Sequence, residues 1–172
     1  MDAQTLKQLQ APLKERYRAE PESALVTLRA TGELTEGISC SVDTGRAIAE
    51  AGLHPASGGD GSQLCSGDML LQALAACAGV TLRAVATSIG VDLRGGTVRV
   101  EGDLDFRGTL GVDKQAPVGF TDIRVGIDLD SDATAEQLAT LERLTHRYCV
   151  IYQSLAQPPT LQLSVANAAI GS

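Results

Sequence analysis

The sequence predicts an α+β fold, and three observations carry that expectation. Segments with period-two hydrophobicity fall in separated groups, around residues 24–48, 95–130 and 160–166. A long, nearly uncharged helical segment, 69–89, lies between the first two groups. No strand alternates with a helix in the manner of a doubly wound sheet. At 172 residues the chain is long enough to bury one core without metal or disulfide staples.

Composition narrows the function classes. Hydrophobic residues make up 44% and charged residues 20%, as in a globular protein, but with two Phe, three Tyr and no Trp the core must be aliphatic. Fourteen basic residues against 21 acidic ones leave a net charge of -7 and a pI near 4.7. That balance opposes nucleic acid and anionic membrane as partners, since both are bound by neutralising negative charge. The N-terminal residues MDAQTLKQLQAPLKERYRAE lack the pattern of a secretory signal, and no segment is read as approaching the roughly 18 apolar residues of a membrane span. A cytoplasmic protein with reduced cysteines is expected.

The elements follow in order. Leu6, Leu9, Leu13 and Tyr17 at helical spacing predict a short amphipathic helix interrupted near Pro12, set apart as an N-terminal extension of residues 1–22. The main domain is expected over 23–172. ALVTLRATGEL and ISCSVDTGRAI predict a hairpin, and HPASGGDGSQLCSG, residues 54–67, a loop. The long helix starts near Ser66 to Asp68 and ends around Gly90; its first half is apolar almost all round, so it should sit inside something. In the next two strands Val98, Val100, Leu104 and Phe106, then Ile123, Val125, Ile127 and Leu129, should face inward. TAEQ, a capping box at Thr134, opens a second helix carrying Leu138, Leu141, Leu144, Tyr148 and Ile151 on one face. Pro158 and Pro159 stop it, and TLQLSVA is the last strand.

Several motifs fail. GGDGS before a helix lacks the G-K-[ST] of a phosphate loop, and Gly58, Gly59 and Gly61 do not fit GxGxxG. Asp128, Asp130 and Asp132 imitate a calcium loop, but Ala133 and Ala139 stand where Gly and Glu are required. His146 and Cys149 form an HxxC that even with Cys77 supplies only three soft ligands. No metal or bound cofactor is expected. The four cysteines, Cys40, Cys65, Cys77 and Cys149, form no CxxC pair. Each is either inert filler or a reactive thiol; Cys40, within the strand pattern, is read as filler. Cys65, just before a helix N-terminus, is a candidate reactive thiol or alternative resolver.

Cys77 in MLLQALAACAGVTL, Cys149 in HRYCVIYQSL, Asp68 at the start of the long helix and the order of elements together resemble the OsmC/Ohr family, the osmotically inducible and organic hydroperoxide resistance proteins. SGDMLLQALAACAGVTL is similar to the family's first helix, an acidic residue followed by an apolar run and A-A-C. The resemblance spans roughly residues 24–166. It implies antiparallel sheets wrapped around a buried central helix, an intertwined homodimer and a thiol peroxidase acting on organic hydroperoxides or hydrogen peroxide. By the resemblance Cys77 is the peroxidatic thiol, Cys149 resolves its sulfenic acid as a disulfide, and an external dithiol or lipoyl-type reductant resets the pair. The rival reading keeps the dimer as a non-enzymatic module that binds a small apolar ligand at its interface.

An apolar site raises a thiol above about 8.5, whereas a useful thiolate needs it lowered by about two units, worth some 3 kcal/mol. A surface ion pair supplies at most about 1 kcal/mol, so a partly buried arginine is expected. The resemblance implies one from the N-terminal strands, held by the acid near the helix start. GELTEG, where it should lie, contains none, and Arg29 and Arg46 are the candidates, Arg46 lying nearer the chain's path to the loop. Asp68 is nine residues before Cys77, about 180° around a straight helix, and reads equally as a cap. Many members carry Pro after the second cysteine; here Val150 follows Cys149.

Overall fold

The computed structural model describes residues 3–35, 39–42, 51–155 and 160–165. They fall into two compact units, one drawn from segments 1–28, 44–70 and 101–123, the other from 29–43, 71–100 and 124–172.

The described strands form one five-stranded sheet. Strands β1 (Leu25–Thr35), β2 (Ser39–Val42), β3 (Gly95–Asp105), β4 (Phe120–Asp130) and β5 (Thr160–Val165) stand in the order β2-β1-β3-β4-β5. The expected hairpin forms: β1 and β2 are antiparallel, with Leu34 opposite Cys40. The last ladder departs from the antiparallel expectation. β5 runs parallel to β4, Val125 opposite Leu161 and Ile127 opposite Leu163. A parallel neighbour needs a long crossover, and the helices between Ala135 and Ser154 provide it.

Inward alternation is as the pattern predicts on β4, where Ile123, Val125, Ile127 and Leu129 are all buried, and on β3 for Val98 and Val100. Phe106 is also buried, but as the first residue of a one-turn helix, α3 (Phe106–Thr109), rather than on the strand. The strand stops at Asp105 because its carboxylate accepts the Arg107 N–H at 2.9 Å and so caps the turn.

Between β2 and β3 lies α2 (Ser66–Ile89), an unbroken 24-residue helix. It ends at Gly90, whose φ of 72° lets the Val91 N–H reach the Ala86 carbonyl at 2.9 Å and satisfy an orphaned acceptor. Contrary to expectation, α2 is long and apolar enough to cross a membrane, with a mean hydropathy of 1.6 over 18 residues. A core helix passes the same test, and half of that window is buried within the chain. Leu71, Leu74, Ala75, Ala78, Leu82, Val85 and Ala86 form the buried side, whereas Val80 is exposed. The helix is therefore covered on one side, not all round, by its own chain. Arg83 is buried too, and its Nη1 donates to the Leu93 carbonyl at 2.7 Å, holding the turn after the helix.

The second long helix is two helices. α4 (Ala135–Tyr148) opens with the expected capping box, Thr134 with Gln137, and buries Leu141 and Thr145. It stops at Cys149, whose backbone is extended at φ -70°, ψ 107°, and α5 (Val150–Ser154) begins at the next residue. The break costs little backbone bonding. The Cys149 N–H donates to the Thr145 carbonyl at 2.9 Å, and its own carbonyl accepts the Gln153 N–H at 3.0 Å. Tyr148, expected on the inner face, is exposed as a result.

In the first unit, α1 (Ala3–Ala19) runs through Pro12 without interruption. Its anchor is Tyr17, fully buried with Ala24, Phe106 and Leu110. The Tyr17 hydroxyl donates to the Ala56 carbonyl at 2.8 Å, and Gln10 Nε2 to the Ser57 carbonyl at 3.1 Å. Burial of one large aromatic, worth about 3 kcal/mol, together with these two hydrogen bonds offsets the roughly 3 kcal/mol that an interior proline costs a helix. Residues 3–22, read as an extension, thus share a core with the glycine-rich loop. In that loop a Cβ at Gly59 would lie 1.7 Å from the Leu53 carbonyl oxygen, so only glycine fits.

Candidate active site

The second unit brings the two cysteines singled out in the sequence into contact. Cys77 is half-buried in the middle of α2, and Cys149 is 1% exposed at the break between α4 and α5. Both thiols are free, and each acts on the acidity of the other. One turn beyond Cys77, the Thr81 hydroxyl lies 4.0 Å from its sulfur.

The helix break supplies what a continuous helix would not. The first N–H groups of any helix lack an intrahelical acceptor. Starting α5 at Val150 frees those of Val150 and Ile151, and both act on the Cys77 sulfur.

The two thiols are driven apart in acidity. Burial pushes Cys77 up, but the Ile151 N–H, the Cys149 thiol, the Thr81 hydroxyl and the Val150 N–H together more than offset it, and Cys77 ends below an ordinary thiol. Burial pushes Cys149 up to about 11, and charge on Cys77 adds to the rise against the Tyr152 and Ile151 N–H groups. Of the pair, Cys77 is therefore the thiol that ionises first, and Cys149 stays protonated beside it. Burial, then charge on Cys149, push the phenol of buried Tyr152 up as well. The Tyr152 ring meets the His146 ring edge-on at 4.4 Å, which places the histidine of the HxxC against an aromatic ring.

The remaining candidates stand elsewhere. Asp68 is half-buried in the first turn of α2, where an acid suits the helix dipole. Because α2 is regular from Ser66, nine residues still place Asp68 half a revolution from Cys77. Arg29 is exposed on β1, and Arg46 lies outside the described residues. Cys65 is half-buried before α2, its carbonyl accepting the Met69 N–H at 3.1 Å. Among the described residues, the groups that lower Cys77 are the Ile151 and Val150 N–H groups, the Cys149 thiol and the Thr81 hydroxyl. The sequence reading overlooked Thr81, Val150 and Ile151. Thr81 was accessible to it, being four residues from Cys77 and so on the same face; the amides were not, because the break carries no glycine or proline.

A family model described as OsmC-like protein matches residues 59–164, more than half of the chain. No curated protein matches. Among solved structures, the fold is similar to an OsmC-like protein from Mycoplasma pneumoniae at 15% identity and a TM-score of 0.53, covering 83% of this chain and 92% of that one. It is also similar to an OsmC-like hydroperoxide resistance protein from Jannaschia sp. CCS1 at 18% identity and a TM-score of 0.53, covering 80% and 90%. The family match includes both thiols and the α2 to β5 frame that carries them, and the chain belongs to the OsmC-like protein family.

Proposed function

We propose that this protein is a thiol-dependent peroxidase that reduces organic hydroperoxides or hydrogen peroxide. The observation that supports this most directly is the contact between a thiol held below its ordinary acidity range and one held above it. In the first step the Cys77 thiolate attacks the terminal oxygen of the hydroperoxide. An S–O bond forms, the O–O bond breaks, and the alkoxide takes a proton and leaves as alcohol. Cys77 is now a sulfenic acid. Cys149 then attacks the Cys77 sulfur; the S–S bond forms and hydroxide leaves, taking the Cys149 proton to become water. A dithiol of lipoyl type reduces the disulfide by two exchanges and departs as its own cyclic disulfide.

On this reading the protein works in the cytoplasm, where such dithiols are available, and as a homodimer. Val80 on α2 and Tyr148 and Val150 beside Cys149 are exposed apolar side chains that a second copy would cover. Sedimentation should give twice the 17.9 kDa chain mass.

The test is peroxide consumption with excess dithiol. The unmodified protein should turn over, Cys77→Ser should consume nothing, and Cys149→Ser should stop after about one equivalent. Equal consumption by Cys77→Ser and the unmodified protein would remove Cys77 from the chemistry. No consumption by the unmodified protein would leave the ligand-binding dimer as the better reading.

A further inference from the structure

α2 carries two threonines whose hydroxyls behave differently. Thr87 Oγ1 donates back to the Arg83 carbonyl four residues earlier, at 2.9 Å, the usual outlet for a helical threonine. Thr81 Oγ1 is turned instead to the Cys77 sulfur, 4.0 Å away. Against a neutral thiol either group can be the donor; against a thiolate only the threonine can be.

We propose that Thr81 is a catalytic residue of this site, its hydroxyl donating a hydrogen bond to the Cys77 thiolate and so keeping the sulfur ionised and aimed for attack. This rests on the reading of Cys77 as the peroxidatic thiol. Among the described residues the groups that act on that sulfur are Cys149 from the α4–α5 break, the Val150 and Ile151 N–H groups from α5, and Thr81 from α2 itself; Tyr152 acts one step removed, on Cys149. The two amides belong to the backbone, and Cys149 is consumed in resolution. Among the described residues, Thr81 is the side-chain donor that stays in place through the reaction.

A donor to a thiolate has a consequence that packing alone lacks. It raises the fraction of sulfur ionised but withdraws electron density, so each thiolate is a weaker nucleophile, with a Brønsted slope of about 0.4 to 0.5. Removing it should slow Cys77 at low pH and speed it at high pH.

The experiment is peptide-mapped alkylation of Cys77 by iodoacetamide in the reduced full-length protein, from pH 5 to pH 10, with Thr81→Val and Thr81→Ser. For a donor whose loss leaves about tenfold less thiolate, a typical loss for a charge-assisted hydrogen bond, the Thr81→Val rate falls about threefold at pH 7 and its high-pH plateau rises about threefold. Thr81→Ser keeps the unmodified profile. If Thr81→Val does not fold, as a thermal melt would reveal, Thr81→Ala removes the same hydroxyl without a β-branch and gives the same reading. A Val or Ala profile matching the unmodified one, a uniform fall at every pH, or a serine variant that behaves like the valine would overturn the assignment. The alkylation profile needs no peroxide. A separate dose of cumene hydroperoxide that leaves Cys77 reduced in the unmodified protein would overturn the peroxidase reading on which the assignment rests, while the profile still reports on the hydrogen bond.

Discussion

Cys149 stands beside Cys77 at a one-residue break in what would otherwise be a continuous helix, and the Val150 and Ile151 N–H groups that follow the break, with the Cys149 thiol, lower the acidity range of Cys77. The same backbone irregularity delivers the second thiol and two of the donors that act on Cys77. Desolvation acts on both sulfurs, yet only Cys77 receives enough donors to outweigh it.

Val150→Pro should separate the thiolate effect from the fold. Proline suits the first position of a helix, and Cys149 already has the extended backbone that a residue before proline prefers. The substitution removes one N–H donor, the smallest of the Cys77 contributions. Thermal stability should hold, while alkylation of Cys77 at pH 7 falls by about twofold. An unchanged rate would mean that the Val150 amide does not act on the sulfur.

Acidity also sets a stability profile. Cys149 titrates at about 11 in the folded chain against about 9 unfolded, so its contribution is complete below pH 9 and is lost as pH rises through 11. The loss is on the order of 2 to 3 kcal/mol. Cys77, lowered in the folded chain, has the opposite sign: its contribution is present above the ordinary thiol range and is lost as pH falls through its folded value. Urea denaturation at pH 8 and at pH 11 should show a smaller drop for Cys149→Ala than for the unmodified protein. An equal drop in both would place Cys149 in water-like surroundings.

Tyr17→Phe tests whether α1 is integral to the first unit. The ring stays buried with Phe106 and Leu110, but the Ala56 carbonyl loses its 2.8 Å donor. Stability should fall by about 1 kcal/mol, read by urea denaturation. A change near zero would mean that the loop carbonyl finds water instead and that α1 is a removable strap.

Much of the frame was legible from local chemistry. The Thr134–Gln137 capping box, the Gly90 stop of α2 and the alternation from Ile123 to Leu129 are written in neighbouring residues, and each formed as the pattern requires. What escaped depends on partners distant in sequence. The continuity of α1 through Pro12 needs Tyr17 to find the loop at Ala56, 39 residues away. The parallel pairing of β5 with β4 is a tertiary choice, since each strand alone reads the same either way. The break at Cys149 falls in RYCVIYQSL, which has no helix breaker, so its donors to Cys77 could not be foreseen. An arginine is expected when Cys77 is taken to be enclosed in apolar side chains alone, whereas the Ile151 and Val150 amides also act on it.

The most direct measurement is peptide-mapped mass spectrometry of the reduced protein after one equivalent of an organic hydroperoxide, with and without Cys149→Ser. The account predicts a Cys77–Cys149 disulfide in the unmodified protein, replaced by Cys77 sulfenic or sulfinic acid in the variant. Both thiols still reduced while the peroxide persists, or a disulfide that includes Cys65 in place of either, would contradict it.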